Sequence, residues 1–108
     1  MAILNNLAER RKIMFYFYGE WKDRGVDDKG RIYPPSVFRE ELAECIFTPD
    51  NGNIRIYREK GKLPFSKVYP VKADKEGRIL IPIQLREGWP GKVIEFIGEG
   101  EYLELKRM

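Results

Sequence analysis

Two pairs of oppositely charged residues in this chain share one spacing, with an aspartate four positions before an arginine. They are Asp27 with Arg31 and Asp74 with Arg78, and a glycine directly precedes each arginine. The planar guanidinium of arginine can donate two hydrogen bonds to guanine O6 and N7, or to a phosphate. The aspartate can brace that guanidinium or accept from a cytosine amino group. In the alternative interpretation, each pair only locks its own turn by an ion pair.

Lysines lie inside the same two segments. Lysine suits contacts with phosphate, which position a protein on duplex DNA without reading its sequence. The residues that we predict to bind double-stranded DNA are therefore Asp27, Lys29, Arg31, Asp74, Lys75 and Arg78.

A second pair of arginines follows further along the same segments, Arg39 and Arg86. We expect them to pair with the neighbouring glutamates or to anchor their segments to the rest of the fold. Contact with DNA is the less favoured interpretation for both.

The charged pairs belong to a longer internal repeat. Residues 27–40 (DDKGRIYPPSVFRE) recur as residues 74–87 (DKEGRILIPIQLRE), at a constant offset of 47 residues. Self-similarity at a fixed period sets the architecture, and two copies are too few for a solenoid. We therefore predict one domain over residues 1–108, in which a first copy at about 14–60 and a second at about 67–108 close on each other.

Composition excludes several classes of function. The 108 residues are 43% hydrophobic and 34% charged, as in ordinary globular proteins, and no run approaches the roughly 18 apolar residues of a membrane span. The single Cys45 excludes an intrachain disulfide and a cysteine-rich zinc site. The chain has no histidine, which removes the usual proton shuttle and the commonest metal ligand. We expect no enzyme, cofactor, metal or small-molecule substrate. The net charge of +3 is weak support for a polyanionic partner.

The hydrophobic pattern predicts mainly short strands. We expect them at 14–21, 31–33, 45–48, 54–57, 68–73, 78–81, 92–97 and 102–105. The aromatic run Tyr16–Tyr18 is expected in a buried strand rather than on a platform for stacking bases. A hairpin turn is expected at Pro49–Gly52, because Asn-Gly favours the turn that joins two adjacent strands.

Three helical segments complete the predicted fold. Short helices are expected after the prolines, at 36–42 and at 82–88, with Phe38, Leu42, Leu85 and Trp89 in the core. An N-terminal helix is expected within 1–13, covering a barrel edge or packing against another subunit. Each copy is too small to be stable alone, so the two must share one core.

The repeated residues carry a resemblance to a known family. The segment D-x-K-G-R-I-x-x-P-x-x-F-R-x-x-L at 27–42 resembles the first repeat of the MraZ family, within the wider AbrB/SpoVT swapped-hairpin superfamily. The segment 74–87 is similar to the second repeat of that family. F-x-G-E-W at 17–21 and G-x-G-x-x-L-E-L at 98–105 resemble its opening strand and its closing hairpin.

The resemblance implies a mainly β (α+β) fold, a swapped-hairpin AbrB-like barrel formed by the two internal repeats. It also implies a sequence-specific, DNA-binding transcriptional regulator of the bacterial cytoplasm and nucleoid, often a ring-shaped homo-oligomer. The DNA-facing Asp-x-x-x-Arg of the family would be Asp27/Arg31 and Asp74/Arg78. Two alternatives stay open: an AbrB-type antitoxin or transition regulator, and a structural or protein-interaction barrel that does not bind DNA.

Overall fold

The computed structural model describes residues 15–58, 63 and 65–108, so the N-terminal helix expected at 1–13 lies outside the described residues. Strands make up most of the regular structure. They are β1 (Glu20–Gly25), β2 (Arg31–Ile32), β3 (Glu44–Asp50), β4 (Asn53–Arg58), β5 (Tyr69–Lys72), β6 (Ile79–Leu80), β7 (Val93–Gly98) and β8 (Tyr102–Arg107).

The strands form one large and one small antiparallel sheet. The large sheet has the order β1-β7-β8-β4-β3-β5, and β2 pairs with β6 in the small one. The hairpins β3–β4 and β7–β8 lie side by side in the middle of the large sheet. Each outer strand pairs across the repeat, β1 with β7 and β5 with β3. The fold is therefore mainly β and antiparallel, with almost no helix.

Alternation of apolar and polar residues decides which face of each central strand is buried. In β8, Leu103 and Leu105 are buried, whereas Glu104 between them is only partly covered. In β4, Ile54 and Ile56 are buried in the same way. The core draws on both copies, because Ile32, Phe38, Leu42 and Cys45 from the first pack with Ile79, Ile81, Trp89, Ile94 and Phe96 from the second.

The hairpin turn predicted at Pro49–Gly52 is confirmed. Asn51 and Gly52 both have positive φ, 49° and 86°, and Asp50 pairs with Asn53 across the turn. Positive φ at both central residues is the geometry that matches the twist of the flanking strands.

Of the two short helices predicted after the prolines, the first is confirmed only in part and the second is wrong. The first copy forms only a three-residue 3-10 helix, Ser36–Phe38, and residues 82–88 of the second copy form turns. Both use bonds between residues three apart, from Phe38 N to Pro35 O at 2.9 Å and from Leu85 N to Pro82 O at 2.8 Å. An α-helix nucleus fixes several residues for one hydrogen bond, so these short connections make tighter turns. In the described part of the chain, no helix is long and apolar enough to cross a membrane.

The first strand is displaced from its predicted place at 14–21. It begins at Glu20, because Gly19 has φ 87° and interrupts the extended backbone before it. Phe17 forms an isolated bridge with Gly100 and is buried. Its neighbours Tyr16 and Tyr18 are 57% and 60% exposed, so the predicted burial is right for Phe17 and wrong for both tyrosines, and all three precede β1.

Candidate nucleic-acid interface

The first Asp-x-x-x-Arg forms a closed turn around the aspartate. Asp27 Oδ1 accepts hydrogen bonds from the backbone N–H groups of Lys29 (3.0 Å) and Arg31 (2.8 Å). Its other oxygen, Oδ2, accepts from Arg31 Nε at 2.6 Å. One carboxylate therefore holds both the backbone of the turn and the side chain of the arginine.

The second turn has the same geometry. Asp74 Oδ1 accepts from the backbone N–H groups of Glu76 and Arg78, both at 2.9 Å, and Oδ2 accepts from Arg78 Nε at 2.7 Å. In both turns, therefore, Oδ1 of the aspartate binds the backbone of the turn and Oδ2 binds the arginine side chain. The ion pair of the alternative interpretation is present in each turn, and it engages Nε of the arginine. In the second turn, Arg78 Nη2 also lies 3.0 Å from Glu76 Oε2.

A glycine with positive φ closes each turn. Gly30 has φ 90° and donates to Asp27 O at 3.1 Å, and Gly77 has φ 81° and donates to Asp74 O at 3.0 Å. Residues with a Cβ adopt this region only at a cost, so glycine allows the chain to reverse directly before the arginine.

The hydrogen bonds shift the titration of both aspartates. The backbone N–H of Arg31 is the largest cause of the lowered pKa of Asp27, and the guanidinium of Arg31 adds to it. Burial acts to raise the pKa of Asp74, but the hydrogen bonds from Arg78 and Glu76 outweigh it and hold this pKa below its ordinary value. Both carboxylates therefore stay ionised and can hold their arginines at neutral pH.

Strands β2 and β6 bring the two turns together in a two-stranded ribbon. Arg31 pairs with Leu80, and Ile32 pairs with Ile79. Both isoleucines are fully buried, so alternation places Arg31 and Leu80 on the outer face. Arg78 is the diagonal neighbour of Arg31 in this register, a relation that separates Cα atoms by about 7–8 Å. A two-stranded β-ribbon fits the major groove of B-DNA.

The predicted lysines flank this outer face. Lys29 and Lys75 are exposed, and among the described residues neither side chain takes part in an ion pair. Both ammonium groups are therefore accessible, and their contact with phosphate stays a prediction.

Arg39 and Arg86 do not pair with the neighbouring glutamates in the described part of the chain. Arg39 Nη2 donates to Lys75 O at 3.1 Å, and a Cβ on Gly77 would lie 3.1 Å from Arg39 Nε. Arg86 Nε donates to Ile81 O at 2.8 Å, and its Cδ would lie 2.7 Å from a Cβ on Gly30. Each arginine therefore packs on the turn of the other copy. The alternative expectation, anchorage to the rest of the fold, describes this arrangement.

The outer face also exposes apolar side chains that were not among the predicted site residues. Leu80 and Tyr33 are 43% and 55% exposed. Continuing the register by one residue places Tyr33 opposite Arg78. The alternation of the repeat, in which buried Ile32 and Ile79 are each followed by an outward residue, is the sequence signal that could have identified them.

No group of three or more His, Cys, Asp or Glu side chains that could hold a metal ion occurs among the residues that the structure describes. Bidentate guanidinium groups beside lysines on an exposed ribbon can instead contact an anion or the edges of bases.

Comparison with known proteins gives a consistent set of relatives. A protein named transcriptional regulator MraZ from Carboxydothermus hydrogenoformans is 31% identical, in an alignment that covers 82% of this chain and 79% of the relative. Proteins of the same name from Clostridium tetani and Clostridium acetobutylicum are 38% and 34% identical, and the alignments cover 65% and 66% of those relatives. No protein-family model matches the chain.

Proposed function

Because the chain belongs to the MraZ family of transcriptional regulators, we propose that it binds specific sequences of duplex DNA through the outer face of the β2–β6 ribbon. The observation that carries this proposal is the pair of arginines, Arg31 on β2 and Arg78 directly before β6, each held at Nε by the aspartate four positions earlier. We assign sequence reading to these two arginines and phosphate contact to Lys29 and Lys75.

The bracing by aspartate suits base recognition. Asp27 and Asp74 engage Nε of their arginines, so each guanidinium is oriented before DNA arrives and loses little conformational freedom on binding. Arg78 Nη2 also contacts Glu76, and the other N–H donors of the Nη groups match guanine O6 and N7. The two Cα atoms lie about 7–8 Å apart by their diagonal register, and bases along one strand rise by about 3.4 Å. The arginines can therefore reach bases about two steps apart.

We further propose that the two copies form a swapped-hairpin barrel with a pseudo-twofold axis through the ribbon. Two pairings support this. Ile32 pairs with Ile79 in the small sheet, and Ile56 pairs with Leu103 where β4 meets β8. Both pairs join residues 47 positions apart, which is the offset of the repeat. Equivalent residues face each other in this way when a twofold axis passes between them.

Membership of the family also supports proposals about the oligomeric state and the location in the cell. We propose a homo-oligomer that acts in the cytoplasm at the nucleoid, as the family resemblance implies. Sedimentation of the full chain gives the mass of the assembly, and a monomer at every concentration would contradict this proposal.

An experiment on the arginines tests DNA binding. Loss of a bidentate guanine contact costs about 1–3 kcal/mol, so Arg78→Ala should weaken binding to the selected sequence by roughly ten- to hundredfold. The preference at one base pair should relax at the same time. The double variant Arg31→Ala/Arg78→Ala should lose more affinity than Arg78→Ala alone. The measurement is selection of bound duplexes from a random pool, followed by titration of the enriched sequence.

Two further variants separate the recognition of bases from general electrostatic attraction to DNA. Lys29→Ala should weaken binding to all sequences alike and reduce the salt slope by about one unit. Lys67→Ala/Lys106→Ala removes two positive charges outside the ribbon and its turns, and should leave base preference unchanged. If the double arginine variant binds as tightly as the parent, or the parent shows no salt-dependent binding to any duplex, the protein-interaction barrel becomes the better interpretation.

A further inference from the structure

The two turns differ at one position that touches an arginine. Glu76 stands where the first copy has Lys29, 47 positions earlier. Glu76 Oε2 lies 3.0 Å from Arg78 Nη2, whereas among the described residues Asp27 is the one acid paired with Arg31. The guanidinium of Arg78 is therefore engaged at Nε and at Nη2, and that of Arg31 at Nε.

The two turns have the same net charge, but their charged residues occupy different positions. The turn 27–31 (DDKGR) and the turn 74–78 (DKEGR) each hold two acids and two bases. In the second turn, the acid sits at the position that reaches the arginine, and its side chain is 62% exposed. A carboxylate at the rim of a polyanion site is repelled by phosphate unless it finds a donor.

The residues opposite the two arginines differ as well. Leu80 lies opposite Arg31 and can contact only apolar groups such as a thymine methyl. Tyr33 lies next to Arg78 and adds a hydroxyl group. The two ends of the ribbon thus present different chemical groups to a groove, although their backbones match.

We propose that Glu76 is a specificity-determining residue of the DNA site, and that it makes the two copies read unlike bases. This inference rests on the function proposed above. Arg31 reads guanine acceptors with Leu80 beside it, whereas the Arg78–Glu76 pair presents a donor and an acceptor together. Carboxylates accept from the cytosine N4 amino group, so the second copy reads guanine with cytosine nearby in the groove. One chain therefore reads an asymmetric sequence.

The test is selection of bound duplexes by the parent and by Glu76→Ala, which removes the side-chain acceptor. The variant should lose the preference for cytosine on the side read by Arg78, with discrimination there falling roughly tenfold or more, and should keep the preference on the side read by Arg31. Its affinity for unrelated duplexes should rise by about two- to fivefold, because an exposed ion pair of modest strength no longer competes for Arg78. Lys29→Glu should impose a cytosine preference on the side read by Arg31.

Glu101→Ala is the matched control, since it makes the same charge change on the exposed turn between β7 and β8. It should leave base preference at every position unchanged. If Glu76→Ala selects the same sequences as the parent, Glu76 does not determine specificity, although the proposed DNA binding stands. If the parent enriches no sequence, the proposed function fails, and this inference fails with it.

Discussion

At the scale of single residues, each aspartate of the repeat holds two things at once. Asp27 accepts from two backbone N–H groups with one oxygen and from Arg31 Nε with the other. The four-residue spacing predicted the pair, and the closed turn explains the spacing. An arginine four positions later lies on the opposite side of a glycine reversal, where its Nε faces the carboxylate.

The lowered pKa values of Asp27 and Asp74 predict a loss of stability in acid. A carboxylate with a lowered folded-state pKa stabilises the fold fully above its unfolded pKa, near the ordinary value of 3.8. This contribution is lost as the pH falls through the lowered folded value. The free energy of unfolding, measured in urea between about pH 6 and about pH 3, should fall less steeply with acid in Asp27→Asn/Asp74→Asn than in the parent. Parallel profiles would contradict the proposed linkage.

At the scale of elements, the ribbon is held in place by the segments that follow it. Arg39 and Arg86 cross to the turn of the other copy and cover its glycine. Each turn is therefore supported by a side chain 36 or more positions away. The supported glycine directly precedes each arginine that we propose reads DNA, so this packing can position those arginines.

A pair of glycine substitutions tests this support. Gly30→Ala should destabilise the protein by about 1–2 kcal/mol because its φ is 90°. The Gly30→Ala variant should lose about 1 kcal/mol of stability in addition, because the new Cβ displaces Arg86 from its hydrogen bond. Gly91→Ala is the matched control, with φ 78° and open space where its Cβ would lie. Urea unfolding of both variants measures the difference.

Equal losses in the two glycine variants would show that the packing of Arg86 contributes nothing. If Arg86 does pack on residue 30, adding Arg86→Ala to Gly30→Ala should instead recover the excess loss of stability, because the effects of two touching residues are not additive.

At the scale of the whole molecule, the two copies are interleaved and not placed side by side. The order β1-β7-β8-β4-β3-β5 puts strands of the second copy between β1 and the rest of the first. Phe38 lies fully buried among Phe15, Phe17, Tyr18 and Trp21, with ring centroids 5.0–6.0 Å apart and edge-to-face geometry. One of these neighbours, Trp21, is on β1, which pairs with the second copy.

Phe38→Ala should therefore destabilise the entire described domain and not one half. The expected loss is about 3–5 kcal/mol, because a large buried ring is removed and its cavity remains. The unfolding transition should stay single when followed by tryptophan fluorescence, which reports on Trp21 and Trp89, and by circular dichroism. Two separated transitions would show that the copies fold independently and would contradict the proposed swapped-hairpin barrel. Val93→Ala, at a half-exposed position on β7, provides a mild control.

The sequence by itself determined the features that depend on neighbouring residues. Asn51-Gly52 specifies its hairpin turn through positive φ, and each Asp-x-x-Gly-Arg specifies its own closed turn through hydrogen bonds within five residues. Ile32 and Ile79, which hold the same place in the two copies of the repeat, are both fully buried. The prediction of a core position is right for Phe38, which is fully buried, and only partly right for Leu85, which is partly buried.

Only the tertiary structure decided which distant segments meet. Nothing local to Arg39 or Arg86 specifies the turn of the other copy as its partner, and nothing local to residues 82–88 prevents a helix. Those outcomes follow from closing the strands into one sheet, where the register of β1 with β7 and of β5 with β3 sets the length left for each connection. The contact of Glu76 with Arg78 is local by contrast, because the two residues are two positions apart in one closed turn.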